Sequence, residues 1–307
     1  MEIRQGKMGF VQQLINGIIL GAVYALFAEG FAVIFGTMGV LDLAHGAVLM
    51  VGAFIGLFSV KYYHLPIELA FFVGMFGAGI VSLAVEQVAI RPLRSRGGES
   101  GSFAPIVTTL GAAGIIESWG QIASHTQVLS YPAVSWLEHS FRIGPLYIST
   151  LEIVVVGIAI LLGGSLILIL QRTRFGIRVR AMASDTEGAQ LLGVNTTAVS
   201  AVVYFSGGAL AGAVGVLISL LFTSVQFQMG QPILLIGVVV LTIGGLGSIA
   251  GALIGGLFVG VVESLVTGYI NSNLSDIIVF VILIAFLILR PTGLFGTIVS
   301  PRRASRL

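Results

Sequence analysis

The sequence predicts an all-α, polytopic transmembrane helical bundle, on three observations. First, 56% of its 307 residues are hydrophobic and only 9% are charged. With a mean hydropathy of +1.06, a soluble fold of this length would have too little polar surface to cover itself. Second, runs such as IVVVGIAILLGGSLILIL (153–170) and IIVFVILIAFLIL (277–289) approach or reach the apolar length a helix needs to cross hydrocarbon. Third, thirteen of the fifteen basic residues sit in four clusters, two between such runs and two at the ends of the chain.

In chain order, apolar segments lie at 10–28, 29–60, 66–90, 104–123, 151–171, 199–221, 233–250, 251–268 and 276–290. The first follows an early glutamate and ends without a small-residue cleavage site, so it is expected to be a retained span and not a signal peptide. The 29–60 stretch is too long and too interrupted for one ordinary helix, which predicts a broken or re-entrant element. The basic clusters are Arg4 and Lys7; Arg91, Arg94 and Arg96; Arg172, Arg174, Arg178 and Arg180; and Arg290, Arg302, Arg303 and Arg306, with only Lys61 and Arg142 elsewhere. The positive-inside rule places both termini and the 91–103 and 172–198 loops in the cytoplasm, and 61–65, 124–150, 222–232 and 269–275 outside, with about eight crossings. The longest linkers, 124–150 with Pro132 and Pro145 and 172–198, are too short to fold alone, so residues 1–307 form a single transmembrane domain.

Two glycine-rich passages, FGTMGVLDLAHGA (35–47) and IGGLGSIAGALIG (243–255), share a short core: Gly36 and Gly39 against Gly245 and Gly247, or Gly244 and Gly247 in strict register. Transporters commonly carry paired interrupted helices, but small residues at this spacing also let ordinary membrane helices approach closely. Both readings stay open. Ionisable residues inside spans are costly and point to function, and here they are Glu29, Asp42, His45, Glu86, Glu117 and Glu263. Asp42 and His45, one helical turn apart, are expected to pair and stabilise an interrupted helix around Gly36, Gly39 and Gly46. Glu86 is expected near the interface, five residues before Arg91, and Glu29 should face a cavity or a partner subunit. The four scattered histidines have no metal-ligand spacing, and the absence of cysteine excludes disulfides, thiolate metal sites and thiol nucleophiles.

The least apolar passage is RTRFGIRVRAMASDTEGAQLLGVN (172–195). Ser184 and Glu187 stand three apart as in a capping box, and Gly193 supplies a left-handed residue to close the helix. The expected helix starts near Asp185 and runs about eight residues, roughly 12 Å. Ala189, Leu191 and Leu192 are too few to anchor it in a core, so it is suited to docking; an interfacial helix on anionic lipid is the alternative.

The spacing Glu187-x-Ala189-x-x-x-Gly193 resembles the coupling loop of ABC importer permeases, with Gly188 in place of the motif's first alanine. GVLDLAHGA, IRPLRS, the 172–195 passage, GGLGSIAGALIGG and RPTGLFG follow in order the signatures of the branched-chain amino acid permease family of the LivH/LivM type, most nearly its LivH-like subunit. The resemblance spans nearly the whole chain. It implies a bacterial inner-membrane permease paired with a second permease subunit, homologous or identical. Two cytoplasmic ATPase subunits carrying ATP and Mg, and an external solute-binding protein, complete the transporter it implies. It assigns ATPase coupling to Arg174, Gly176, Arg180, Ser184, Asp185, Glu187, Ala189, Leu191, Leu192 and Gly193. The path candidates are Glu29, Gly36, Gly39, Asp42, His45, Gly46, Glu117, Gly244, Gly245 and Gly247.

No Gly-x-x-x-x-Gly-Lys-Ser/Thr loop is present to hold ATP phosphates, so this chain is expected to bind no cofactor and to draw its energy from a partner or an ion gradient. A gradient-driven carrier using Glu29, Asp42 or Glu117 as proton carriers is the alternative. An intramembrane enzyme is disfavoured, because no His-Glu-x-x-His, Gly-x-Ser-x-Gly or cysteine occurs. Departures from the family pattern bear on the solute: Ala47 replaces a glutamate, Asp42 an asparagine, and Glu29 and Glu117 stand where uncharged residues are usual. Branched-chain amino acids are the expected solutes, with an amide, a short peptide or an aromatic acid as alternatives.

Overall fold

The computed structural model describes residues 2–95, 103–132, 139–143, 146–271, 274–290 and 293–295. Pro145, Arg96, Arg302, Arg303 and Arg306 lie outside the described residues. A long first helix, α1 (Glu2–Met38), is followed by α2 (His45–Tyr63) and α3 (Ile67–Val85). A π-helical turn (Glu86–Ile90) leads into the short α4 (Arg91–Ser95) and then α5 (Ala104–Ala123). After two short strands and a third, β1 (Leu129–Ser130), β2 (Ser140–Ile143) and β3 (Leu146–Ser149), come α6 (Thr150–Arg172), α7 (Arg174–Ser184) and α8 (Thr186–Leu191). The chain continues through α9 (Thr196–Leu221), β4 (Ser224–Val225), α10 (Gly230–Gly244), α11 (Ile249–Tyr269) and α12 (Ser275–Leu289).

Among the described residues six helices are long and apolar enough to cross a membrane, and Gly230–Gly244 and Ile277–Leu289 are shorter apolar helices. The division expected at 28/29 does not occur: α1 passes unbroken through Glu29, and the interruption is confined to residues 39–44, after which 45–63 forms a span of its own. Gly30 lies against Gly207 of α9, where an added Cβ would come 2.9 Å from the Gly207 carbonyl oxygen. It serves close packing and does not break the helix.

Lipid is as apolar as leucine, so helices in it associate through close packing and not through burial. Glycine provides that packing here. α1 and α11 run antiparallel, with Gly17 facing Val261 and Gly21 facing Leu257. α9 threads the centre between α2 and α3, with Gly52 against Gly212 and Gly208 against Ser82. Ser82 Oγ donates to the Tyr204 carbonyl at 2.8 Å. Around this centre Phe27, Ile34, Leu49, Phe54, Tyr204 and Leu217 are fully buried.

Helix starts follow local chemistry. Ser149 and Glu152 form a reciprocal capping box on α6. Asn195 caps α9 through Ala198 N at 3.0 Å, and Ser248 caps α11 through Gly251 N at 3.1 Å. Two small antiparallel sheets close one end, β1 with β4 and β2 with β3. Tyr131 follows β1, buried over Gly56, and burial pushes its phenol above the ordinary range.

Both termini are expected in the cytoplasm, whereas the described residues put the start of α1 and the 293–295 segment at opposite ends of the bundle. Gln12 Nε2 donates to the Tyr147 carbonyl at 2.9 Å and its Oε1 accepts from Tyr147 N at 3.0 Å, tying the start of α1 to β3. At the far end of α1, roughly 36 Å away along the helix, Gly36 touches Gly247. Leu294 N and Phe295 N bond the carbonyls of Ile243 and Gly244 at that same end. The start of α1 therefore lies beside β3, opposite the 293–295 segment. Only Arg4 and Lys7 favoured the other placement for the start of α1.

Candidate functional site

The break between α1 and α2 is built from polar groups. α1 ends at Met38, and the next residue, Gly39, has a φ of 65° in the left-handed region that glycine tolerates, with Gly39 N donating to the Phe35 carbonyl at 2.8 Å. Asp42 is fully buried. Its Oδ1 accepts from Ala44 N at 2.9 Å, and its carbonyl accepts from His45 N at 3.4 Å. α5 contributes Thr109 Oγ1, which accepts from Leu43 N at 3.2 Å. The expected Asp42–His45 side-chain pair does not form. Asp42 is outside the helix and its carboxylate turns to the free amides at the start of α2. The His45 ring lies instead between Phe27, 4.9 Å away, and Phe31, stacked at 5.3 Å.

The second glycine passage breaks the chain in the same manner. α10 ends at Gly244, followed by Gly245 with φ 103° and Gly247 with φ 80°. The two passages meet: a Cβ on Gly36 would lie 3.1 Å from Gly247 Cα, and one on Gly247 3.0 Å from Gly36 Cα. Gly36, Gly39, Gly244, Gly245 and Gly247 thus gather at one end of the bundle. Gly46 is deeper, back to back with Gly230 at the start of α10.

The charged candidates separate by partner. Glu29 is 1% exposed, and neither carboxylate oxygen has a hydrogen-bond partner among the described residues. It points at α6, where its Oε2 lies 2.5 Å from the position a Cβ on Gly163 would take. Glu263 Oε1 accepts from Tyr24 Oη at 3.1 Å and joins α11 to α1. Glu86, expected near the interface, is buried within the π-helical turn. Glu117 Oε2 accepts from Gln231 Nε2 at 2.8 Å. Sequence reasoning missed Gln231; its only signal is a polar side chain opening an apolar run just before Pro232. Among the described residues no three His, Asp or Glu side chains are grouped to hold a metal.

The 172–195 loop folds as two helices. In α7, capped by Thr173 through Gly176 N at 3.2 Å, Gly176, Val179 and Met182 recur every three residues and are buried against the bundle. Gly176 fits beneath Leu170 of α6, and the Arg180 guanidinium donates to the Leu170 carbonyl. Arg174 is exposed. Ser184 is the last residue of α7, and its Oγ donates to the Arg180 carbonyl at 3.0 Å. The cap of α8 is consequently Asp185, whose Oδ1 accepts from Gly188 N at 3.0 Å, and the helix has six residues instead of about eight.

Gly193 closes α8 as expected, at φ 84°, with Gly193 N donating to the Gln190 carbonyl at 2.9 Å. Ala189 faces inward and Gln190 Nε2 donates to Thr196 Oγ1 at 2.9 Å. Glu187, Leu191 and Leu192 face outward, the two leucines 90% and 85% exposed.

A glycine-broken helical bundle carrying buried charges, with a capped and exposed helix on one face, has the architecture of a multi-pass membrane permease. The chain is a member of the branched-chain amino acid transport system / permease component family, whose model matches residues 13–287. It is 30% identical over 298 residues to the high-affinity branched-chain amino acid transport system permease protein LivH of Salmonella typhimurium, covering 94% of this chain and 96% of that one. It is 29% identical over 303 residues to the corresponding protein BraD of Pseudomonas aeruginosa, with the same coverage. To the probable LivH permease of Methanocaldococcus jannaschii it is 29% identical over 298 residues, 92% of this chain and 91% of that one. No solved structure matches the chain. Membership makes the protein a translocation subunit of a multi-component transporter.

Proposed function

We propose that this chain is one of two permease subunits of an ABC importer for branched-chain amino acids, and that α8 is the element on which a cytoplasmic ATPase docks. In this assembly two ATPase subunits bind ATP and Mg, and an external binding protein delivers the solute. The observation that carries the docking role is the outward pair Leu191 and Leu192, held at 90% and 85% exposure on a helix capped at both ends. Two adjacent leucines in water on a rigid support suit burial against a partner.

The face bearing Arg91, Arg94 and Arg172 to Arg180 is cytoplasmic in this reading, and the start of α1 is external. The solute path passes the break at residues 39–44, with Asp42 and His45 beside it and Glu29 on the α6 side of α1. Nucleotide-driven closure of the ATPases moves α8 and, through α7, the ends of α6 and α9.

The test is uptake of labelled leucine, isoleucine and valine in cells carrying the whole transporter, with unlabelled amides and aromatic amino acids as competitors. Glu187→Arg reverses a charge on the docking face. Gly193→Pro removes an N–H donor and forbids the φ of 84°. Both variants are expected to insert in the membrane and to lose ATP-driven uptake. Intact uptake in both would overturn the docking assignment, and uptake that persists without the ATPases but collapses with the proton gradient would overturn the importer reading.

A further inference from the structure

The surface of α5 differs from the other exposed membrane faces. α3 exposes Leu69, Phe72, Val73, Phe76 and Ile80, and α6 exposes Ile153, Ile160, Leu161, Leu168 and Ile169, as hydrocarbon requires. On α5 the exposed apolar residues Leu110, Ile115 and Ile122 are interspersed with exposed Gly111, Gly114, Ser118 and Gln121, and next to them the half-exposed Glu117 bonds the exposed Gln231. At 20 residues α5 is long enough to span, yet it is not among the six described helices apolar enough to do so.

The Glu117–Gln231 pair is also deep. Gly230, beside Gln231, abuts Gly46, and the adjoining His45 lies between Phe27 and Phe31 midway along α1. One turn along α5 from Glu117, Gly120 meets Met50 of α2. A carboxylate at that depth facing acyl chains would be costly. A cytoplasmic ATPase or an external binding protein does not reach there, so what covers it must itself span the membrane.

We propose that the α5 face running through Gly111, Gly114 and Ser118, together with the Glu117–Gln231 pair, meets the second permease subunit and not lipid. This rests on the reading of the chain as one permease of a two-permease importer. Gly111 and Gly114 let a neighbouring helix approach closely, and the polar pair supplies a hydrogen-bonding contact in the seam between the subunits. Within this chain a Cβ at either glycine meets nothing within 4 Å, so neither is kept small by its own fold.

The chain has no cysteine, so Gly114→Cys introduces a single thiol to which a short photoreactive group can be attached in membranes holding the whole transporter. Illumination is expected to join Gly114→Cys to a peptide of the second permease, and the Gly157→Cys control on α6, also in open space, to lipid. A lipid adduct, or no protein adduct, at position 114 would overturn the proposal. In a second measurement Gly114→Trp is expected to insert, to keep its ATPase through α8, and to lose the second permease on purification, whereas Gly157→Trp keeps both. Retention of the second permease by Gly114→Trp would also overturn the proposal while leaving the importer reading intact. Recovery of neither ATPase nor second permease with the unaltered chain would sink the importer reading and this inference with it.

Discussion

Replacing Leu191 with alanine, and separately Leu192, separates docking from folding. In the isolated chain these side chains are 90% and 85% exposed, so each truncation should shift stability by no more than about 0.5 kcal/mol. In a docked complex each leucine passes from water into an interface, where burying the whole side chain is worth ~1.5–3 kcal/mol and truncation forfeits roughly 2. At about 1.4 kcal/mol per tenfold, that weakens the ATPase–permease Kd by about 30-fold. The assay is titration of purified ATPase onto the permease in lipid nanodiscs, with thermal unfolding followed in parallel. An affinity unchanged within a factor of about two would refute the docking role. A large fall in melting temperature would show instead that the leucines support the permease's own fold.

Two further outcomes follow from the packing. Gly52→Ala places a Cβ onto Gly212 Cα and 2.7 Å from the Gly212 carbonyl oxygen, forcing α2 from α9. The expected overpacking cost is ~1–3 kcal/mol, read as a lower melting temperature in detergent, and an unchanged value would show that the helices do not approach so closely. Glu29→Gln removes a buried charge whose oxygens have no partner among the described residues and should raise the melting temperature. A fall would mean that the carboxylate is paired in the membrane.

The helical bundle was legible because apolar length is a one-dimensional signal. Helix ends were legible where the cue was local, as at the left-handed Gly193. The cap of α8 was displaced by one residue because Ser184 and Asp185 are both good caps. The choice falls to α7, which extends to Ser184 and occupies its hydroxyl with the Arg180 carbonyl. Asp42 and His45 have the spacing of a helical pair, yet the chain is not helical at Asp42, so the spacing misled. Gln231 was not legible as a site residue, since its partner Glu117 is 114 positions away. The side on which α1 begins turned on two basic residues, a weaker determinant than the two bonds between Gln12 and Tyr147.

These contacts also link the exposed loop to the break. From Leu191 the adjacent Gln190 bonds Thr196 at the start of α9. One turn further on Ser200 Oγ donates to Met38 Sδ at 3.3 Å, and Met38 is the last residue of α1, before Gly39. On the other side of the break Leu43 is held by Thr109 of α5, the helix whose Gly114 face is assigned to the second permease. A displacement of α8 therefore reaches residues 39–44 through packed and bonded neighbours, without crossing the glycine-sealed seam between α1 and α11. The break is flanked on one side by α9, bonded to the proposed docking helix α8, and on the other by α5, whose Gly114 face is proposed to meet the second permease. For that reason its turn, with a left-handed glycine and a buried aspartate, is where relative motion of the two partners would be expressed as opening or closing of the path.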